Sequence, residues 1–224
     1  MAIQGGPDLI NQGLLLCLDA SDRNSYPGTG STWYDLSGNA NHCTINGATF
    51  SSANNGSFNF NGSSNYVQTP LNVTLTTITY EFWSFFDDVS LSTVSRNESA
   101  FGDWVLTNNQ RVHFGTRWSV GMHFNANGTW EQTSGSNLRY GWNHYLLTYN
   151  GSVVNTKRVY LNGIQSSSHN SNGAITMDDF KIGNATGLNQ HYRGNISMFR
   201  LYNNYLTSDQ ALQHYNNIKG RYDL

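Results

Sequence analysis

The sequence predicts an all-β fold, two antiparallel sheets packed face to face with one short helix near the C-terminus. Three observations predict it. Aromatic residues make up 13% of the 224-residue chain and charged residues only 12%, about half the usual charged share. Short runs of β-branched and aromatic residues alternate with clusters of Asn, Gly and Ser along most of the length, the spacing of a sandwich or jelly roll. Helical periodicity stands out in one place, after Thr207.

The elements follow in order. Leu14-Leu15-Leu16-Cys17-Leu18 is an apolar run between Gly13 and the turn Asp19-Ala20-Ser21-Asp22, which fits a buried strand. The next thirty residues, SDRNSYPGTGSTWYDLSGNANHCTINGATF, are rich in turn formers yet hold Trp33, Tyr34 and Phe50. Strands are expected at Ser57–Phe60, Tyr66–Thr69 and Thr77–Phe86. In the last of these Ile78, Tyr80 and Phe82 face one way and Thr79, Glu81, Trp83 and Phe85 the other. Aromatics on both faces predict a central strand with a layer over at least one face.

From Ser99 to Tyr149 strand-like pieces alternate with Asn/Gly turns. Asn162-Gly163, between Arg158–Leu161 and Ile164-Gln165, predicts a two-residue hairpin, since both turn positions favour positive φ. Phe180–Gly183 and Ile196–Tyr202 complete the strands. Thr207 and Gln210 form a capping box, Ala211, Leu212, Tyr215 and Ile218 recur at helical spacing, and Gly220 is the expected stop. No linker or internal repeat divides the chain: residues 1–13 read as an N-terminal arm and 14–224 as a single domain.

Composition excludes several functions. The net charge of −2 and pI near 6.3 give no basic patch for nucleic acid. The apolar runs fall far short of the roughly 20 residues a spanning helix needs, so no membrane insertion is expected. Met1-Ala2-Ile3-Gln4-Gly5-Gly6 has neither the basic start nor the apolar core of a secretion signal. Cys17 and Cys43 are too few for a disulfide framework or a cysteine zinc site. Two buried free thiols are expected in preference to a single bridge.

Carbohydrate binding is the chemistry the side chains support most readily. Sugars stack their apolar faces on aromatic rings, with amides and Arg around them to bond hydroxyls. Trp104, Arg117, Trp118 and Trp130, among many Asn, are the candidate binding residues, and Trp130 in Asn127-Gly128-Thr129-Trp130 is the one expected on a loop. Arg111, His113, Arg117 and His123 have the residue types of a lyase acting on uronates, although isolated His is more often plain polar surface. Glu81, Glu98 and Glu131 stand apart, and Asp87-Asp88 and Asp178-Asp179 read as loop pairs, so the paired carboxylates of a glycoside hydrolase are not evident and a non-enzyme is expected.

Four stretches, in order, resemble the laminin-G-like branch of the concanavalin A-like jelly rolls: GLLLCLDASDRNSYPGTGSTWYDLSGNANHCTINGATF; SFNFNGSSNYVQTP with ITYEFW; GWNHYLLTYNG with RVYLNG; and KIGNATGLNQHYRGNISMFRLYNNYLTSDQALQHYNNIKGRYDL. The resemblance implies a concanavalin A-like jelly-roll sandwich from about Leu14 to the end. It implies that Trp33 and Leu36 pack the opening loop on the sandwich as a structural cover, with Asp35 accepting amide hydrogens in its turn. Calcium is the one ion it brings in, with Asp35 and carbonyls of the 37–41 turn as contributors. Where the family's last strand reads Gly-x-Ile-Asp, this chain has Gly194-Asn195-Ile196-Ser197, and loss of a carboxylate weakens a calcium site. No other cofactor is implied. The related glucanases carry Glu-x-Asp-x-(x)-Glu on one strand, absent here. SYPGTGSTWYDLSGNAN and NNIKGRYDL are similar to domains of tailed-bacteriophage virion proteins. That similarity implies a capsid-decoration or tail-fibre protein, assembled in the host cytoplasm in multiple copies with other virion proteins, with a polysaccharide as the expected ligand. The alternatives are a carbohydrate-binding module outside a virion and a polysaccharide lyase or hydrolase.

Overall fold

The computed structural model describes residues 10–86, 98–103, 112–116, 122–126, 129–132, 141–152, 157–170, 172–187 and 189–224. Two sheets face each other. The first runs Ile164–His169, Lys157–Leu161, Gly141–Asn150, Thr77–Phe86, Arg193–Tyr202, Ser57–Asn61, Thr49–Ser51. Leu14–Asp19 joins it by pairing with the 198–202 end of Arg193–Tyr202, while Ser57–Asn61 pairs with the 193–196 end. The second runs Thr129–Gln132, Met122–Ala126, Val112–Thr116, Glu98–Asp103, Lys181–Ile182, Tyr66–Gln68, Cys43–Asn46, Thr32–Trp33. Its pairs are antiparallel apart from Asn184–Thr186, which lies parallel to Glu98–Asp103.

The alternation expected for Thr77–Phe86 holds. Ile78, Tyr80 and Phe82 are fully buried between the sheets, where Tyr80 and Phe82 stack near Phe101, Phe180 and Tyr145. Thr79, Glu81 and Trp83 are equally buried on the opposite face. That face is covered by the helix Ser208–Ile218 and the 3₁₀ turn Lys219–Tyr222, whose Tyr215 and Tyr222 stack on Trp83. Thr207 and Gln210 form the capping box. Gly220 does not end the helical run: the 3₁₀ turn passes through it and stops at Asp223, which is left-handed at φ 59°. Leu212 is 45% exposed, and His214 takes the inward place between Ala211 and Tyr215.

A polar residue faces inward there because Glu81 meets it. Glu81 lies opposite Arg200 in the central strands, and its carboxylate accepts from Arg200 through both oxygens at 3.3 Å, with His144 Nε2 at 3.1 Å and His214 Nδ1 at 2.9 Å. Burial alone would raise the Glu81 pKa, but the Arg200 charge, His214 and these hydrogen bonds hold it well below the ordinary 4.5. Burial lowers the His144 pKa from 6.5 against the pull of Glu81.

The opening loop is a packed cover. Trp33 is fully buried with its ring 4.7 Å from Phe58, which also meets Tyr26 and Phe50. Leu36, expected to pack with it, is 37% exposed, because the turn is held by its neighbour Asp35 instead. Asp35 Oδ1 accepts from the backbone N–H of Cys17 and Ser37, and Oδ2 from Ser37 Oγ and the Asn41 N–H. Both cysteines are buried free thiols. Among the described residues no helix is long and apolar enough to cross a membrane.

Trp33→Ala is expected to lower the unfolding free energy by about 3–5 kcal/mol in a denaturant titration; a loss under about 0.5 kcal/mol, typical of surface changes, would mean the loop is not packed. Stability should also depend on acid. Unfolding lets His144 take a proton below its ordinary 6.5 and Glu81 below its ordinary 4.5, protons that the native pKa values resist. Both contributions are therefore complete above pH 6.5 and fade as the pH falls, first through His144 and then through Glu81. The melting temperature should be level above that value and decline below it. Glu81→Gln, which leaves Arg200 buried without its counter-charge, should cost about 3–5 kcal/mol.

Candidate ligand-binding face

The outward face of the second sheet carries the other concentration of buried polar groups. In Val112–Thr116, Val112 and Phe114 enter the core, as do Phe124 and Ala126 of the neighbouring strand. Side chains alternate along a strand, so the intervening His113 and Asn125 face away from the core, opposite each other in register. Yet they are only 1% and 0% exposed.

Local irregularity brings a third residue to them. The register between Glu98–Asp103 and Val112–Thr116 shifts so that Phe114 pairs with Phe101 and Gly115 with Ser99, leaving Ala100 as the extra residue of a bulge. Gly115 is required at this point, because a Cβ there would lie 1.8 Å from the Glu98 carbonyl oxygen. The shift sets Ser99 Oγ 2.6 Å from His113 Nε2 and 3.2 Å from Gln190 Oε1. With the Ser99 hydroxyl donating to Gln190, His113 Nε2 is the donor to Ser99. Beside them Asn184 Nδ2 donates to the Gln190 carbonyl and meets the His191 ring.

Asn125 differs from these neighbours. It is fully buried, and neither its Nδ2 nor its Oδ1 has a hydrogen-bond partner among the described residues. A buried amide left unpaired costs about 1–3 kcal/mol, so a native fold that keeps one calls for a reason beyond packing. Register places Trp130 opposite Asn125, which is itself opposite His113. The cross-strand row is thus Gly102, His113, Asn125, Trp130.

Of the expected sugar-binding residues, Trp130 falls at this row, on the strand Thr129–Gln132 rather than a loop. Trp104, Arg117 and Trp118 lie outside the described residues, as does Arg111. His113, considered for a lyase, joins the row. Ser99, Asn125, Asn184, Gln190 and His191 carried no signal of their own in an Asn- and Ser-rich sequence, and only the bulge and the register bring them together. Asp35, expected at calcium, already accepts four hydrogen bonds, so its carboxylate is occupied by the loop. In the turn after the first strand, Asp19 pairs with Arg221 at 2.9 and 3.0 Å, and Asp22 accepts from the Asn24 N–H. Asp178 and Asp179 are turn residues whose N–H groups donate to Asp103.

Residues 61–211 match the sequence model of the concanavalin A-like lectin/glucanases superfamily, in its laminin-G form. The chain belongs to this superfamily. A search of curated proteins by sequence finds no match. Solved structures do share the superfamily fold. The binding domain of Paraclostridial Mosquitocidal Protein 1 aligns with a TM-score of 0.69 at 14% identity, over 93% of this chain and 53% of that one. The ligand-binding domain of botulinum neurotoxin serotype D, in complex with N-acetylneuraminic acid, aligns at 0.66 and 12% identity over 92% and 51%. Domain 4 of AbnA, an extracellular arabinanase from Geobacillus stearothermophilus, in complex with arabinotriose, aligns at 0.64 and 16% identity over 89% and 96%. The chain spans about half the length of the toxin binding domains it matches.

Within the described part of the superfamily fold, Glu81 and Glu98 are on different sheets, Glu81 enclosed under the helix and Glu98 accepting from the Arg193 N–H. The row supplies an imidazole and an amide, with the Ser99 hydroxyl and the Gln190 amide beside it, groups suited to exchanging hydrogen bonds with sugar hydroxyls. If Asn125 serves a ligand rather than the fold, Asn125→Leu should raise the unfolding free energy by about 1 kcal/mol, because it removes an unpaired buried amide. Destabilisation in the same denaturant titration would make Asn125 a structural residue.

Proposed function

We propose that this protein is a non-enzymatic carbohydrate-binding protein displayed on a bacteriophage particle, and that the outward face of its second sheet is the binding face. The observation that carries the binding role is Asn125, a buried amide with both polar atoms unpaired among the described residues, in register with Trp130 and beside the Ser99–His113 pair. The sugars bound by the arabinanase domain and the neurotoxin domain support the ligand class. The particle role rests on the likeness of SYPGTGSTWYDLSGNAN and NNIKGRYDL to virion domains. One or two stacking rings and a few hydrogen bonds yield about 4 kcal/mol, a millimolar constant, and many copies on one particle convert such contacts into firm attachment.

A glycan array probed with a multimerised form of the protein tests binding. Trp130→Ala should abolish the signal and leave the melting temperature unchanged; an unfolded variant would make Trp130 a core residue, and retained binding would move the site elsewhere. Incubation with polysaccharides should release neither reducing ends nor unsaturated uronates, and release of either would make the protein an enzyme. Mass spectrometry of purified particles tests the virion role, which fails if the protein stays with the host lysate.

A further inference from the structure

The opening loop forms a cleft of about 210 Å³ between its first turns and the 3₁₀ turn Ala53–Asn55. The rings of Tyr26 and Phe50, with centroids 5.0 Å apart, line it together with Ser21, Arg23, Ser52 and Asn55. Tyr26 is buried and donates from its hydroxyl to the Gly30 carbonyl, whereas Phe50 is half-buried.

The walls are fixed before any ligand arrives. Asp19 accepts from the N–H and hydroxyl of Ser21 and from both Arg221 guanidinium nitrogens, and Asn55 Nδ2 donates to the Arg221 carbonyl. Gly56, at φ 117°, passes so close to the first wall that a Cβ would lie 2.6 Å from the Ala20 carbonyl oxygen. Ordering of a site before binding lowers the cost of binding.

Charge then selects the ligand. Arg221 is matched by Asp19. Arg23 is exposed, lines the cleft, and makes no ion pair among the described residues. Aromatic rings, hydroxyl and amide groups and one guanidinium with its fork unengaged among the described residues, all lining one cleft, correspond to a sugar ring bearing a carboxylate.

We infer that this cleft is a second sugar site, separate from the sheet face proposed above, and that it takes a carboxylated monosaccharide of the hexuronate class. The ring lies against Phe50, the hydroxyls reach Ser52 and Asn55, and the carboxylate pairs with Arg23.

Titration of the ¹⁵N-labelled full chain with glucuronate, glucose and acetate, followed by amide shifts, tests the site. Glucuronate should move the amides of Ser21, Arg23, Ser52 and Asn55, with glucose and acetate each much weaker because each lacks half of the recognition. Arg23→Gln, at an exposed position, should keep the melting temperature and weaken glucuronate about tenfold, the loss of one charge-assisted contact. Acetate binding as well as glucuronate would reduce the cleft to a plain anion site and overturn the inference, as would an unchanged constant in Arg23→Gln. Shifts confined to Ser99, His113 and Asn125 would overturn it and leave the sheet-face reading standing. Asn125→Leu separates the two in the other direction, since it should leave the cleft signals intact.

Discussion

The carboxylate of Glu81 is the constraint on which the three-layer arrangement depends. It sits on the central strand of the first sheet, and its four hydrogen bonds come from both flanking strands and from the helix. An apolar residue there would bury as much surface and leave the helix free to slide along the sheet. A charge that is stable only with Arg200, His144 and His214 all in place fixes one register. Removing one member leaves the others desolvated without a partner, so the cluster enforces its own geometry. Trp83, Tyr215 and Tyr222 then stack where the helix has been set.

The same device recurs on a smaller scale. Asp35 ties the opening loop to the first strand through the Cys17 N–H, Asp19 ties that strand to Arg221 near the C-terminus, and Asp103 holds the turn at Asp178 and Asp179. In a chain with few charges, each of these acids joins segments far apart in sequence. This pattern gives the carboxylates structural duties, and it bears on catalysis as well. In Glu81, Asp35 and Asp19 both carboxylate oxygens accept hydrogen bonds, so the donors that offset burial also occupy lone pairs that a proton transfer would use.

Much of this was legible in the sequence because it follows from period and local chemistry. The two faces of Thr77–Phe86, the Asn162-Gly163 hairpin and the capping box at Thr207 all rest on contacts within a few residues or on alternation, whereas the burial of Trp33, which meets Phe58, was expected from the family resemblance alone. Some readings failed where tertiary structure overrode them, as with Trp130, which falls on a strand rather than a loop. Leu212 and Gly220 were assigned by local pattern and Leu36 by resemblance, whereas His214, Asp223 and Asp35 hold those places through partners or backbone conformations that tertiary structure sets. The site was less legible than the fold. His113 and Trp130 stood out by residue type, but Ser99 and Asn125 acquire meaning only from a one-residue bulge and a cross-strand register.

The Glu81 cluster and Asn125 differ in how far their buried polar groups are paired. Under the helix, His144 and His214 each leave one ring nitrogen unpaired among the described residues and commit the other to Glu81, so every polar side chain in the cluster contributes to holding the layer. On the second sheet Ser99, His113 and Gln190 are joined, yet Asn125 beside them commits neither of its atoms to a described residue. A buried group that contributes nothing to its surroundings is a cost to the folded state, and folds retain such costs where recognition requires them. On the reading proposed above, the Glu81 cluster holds the helix layer, and the Asn125 amide, with both polar atoms uncommitted among the described residues, is kept for a ligand.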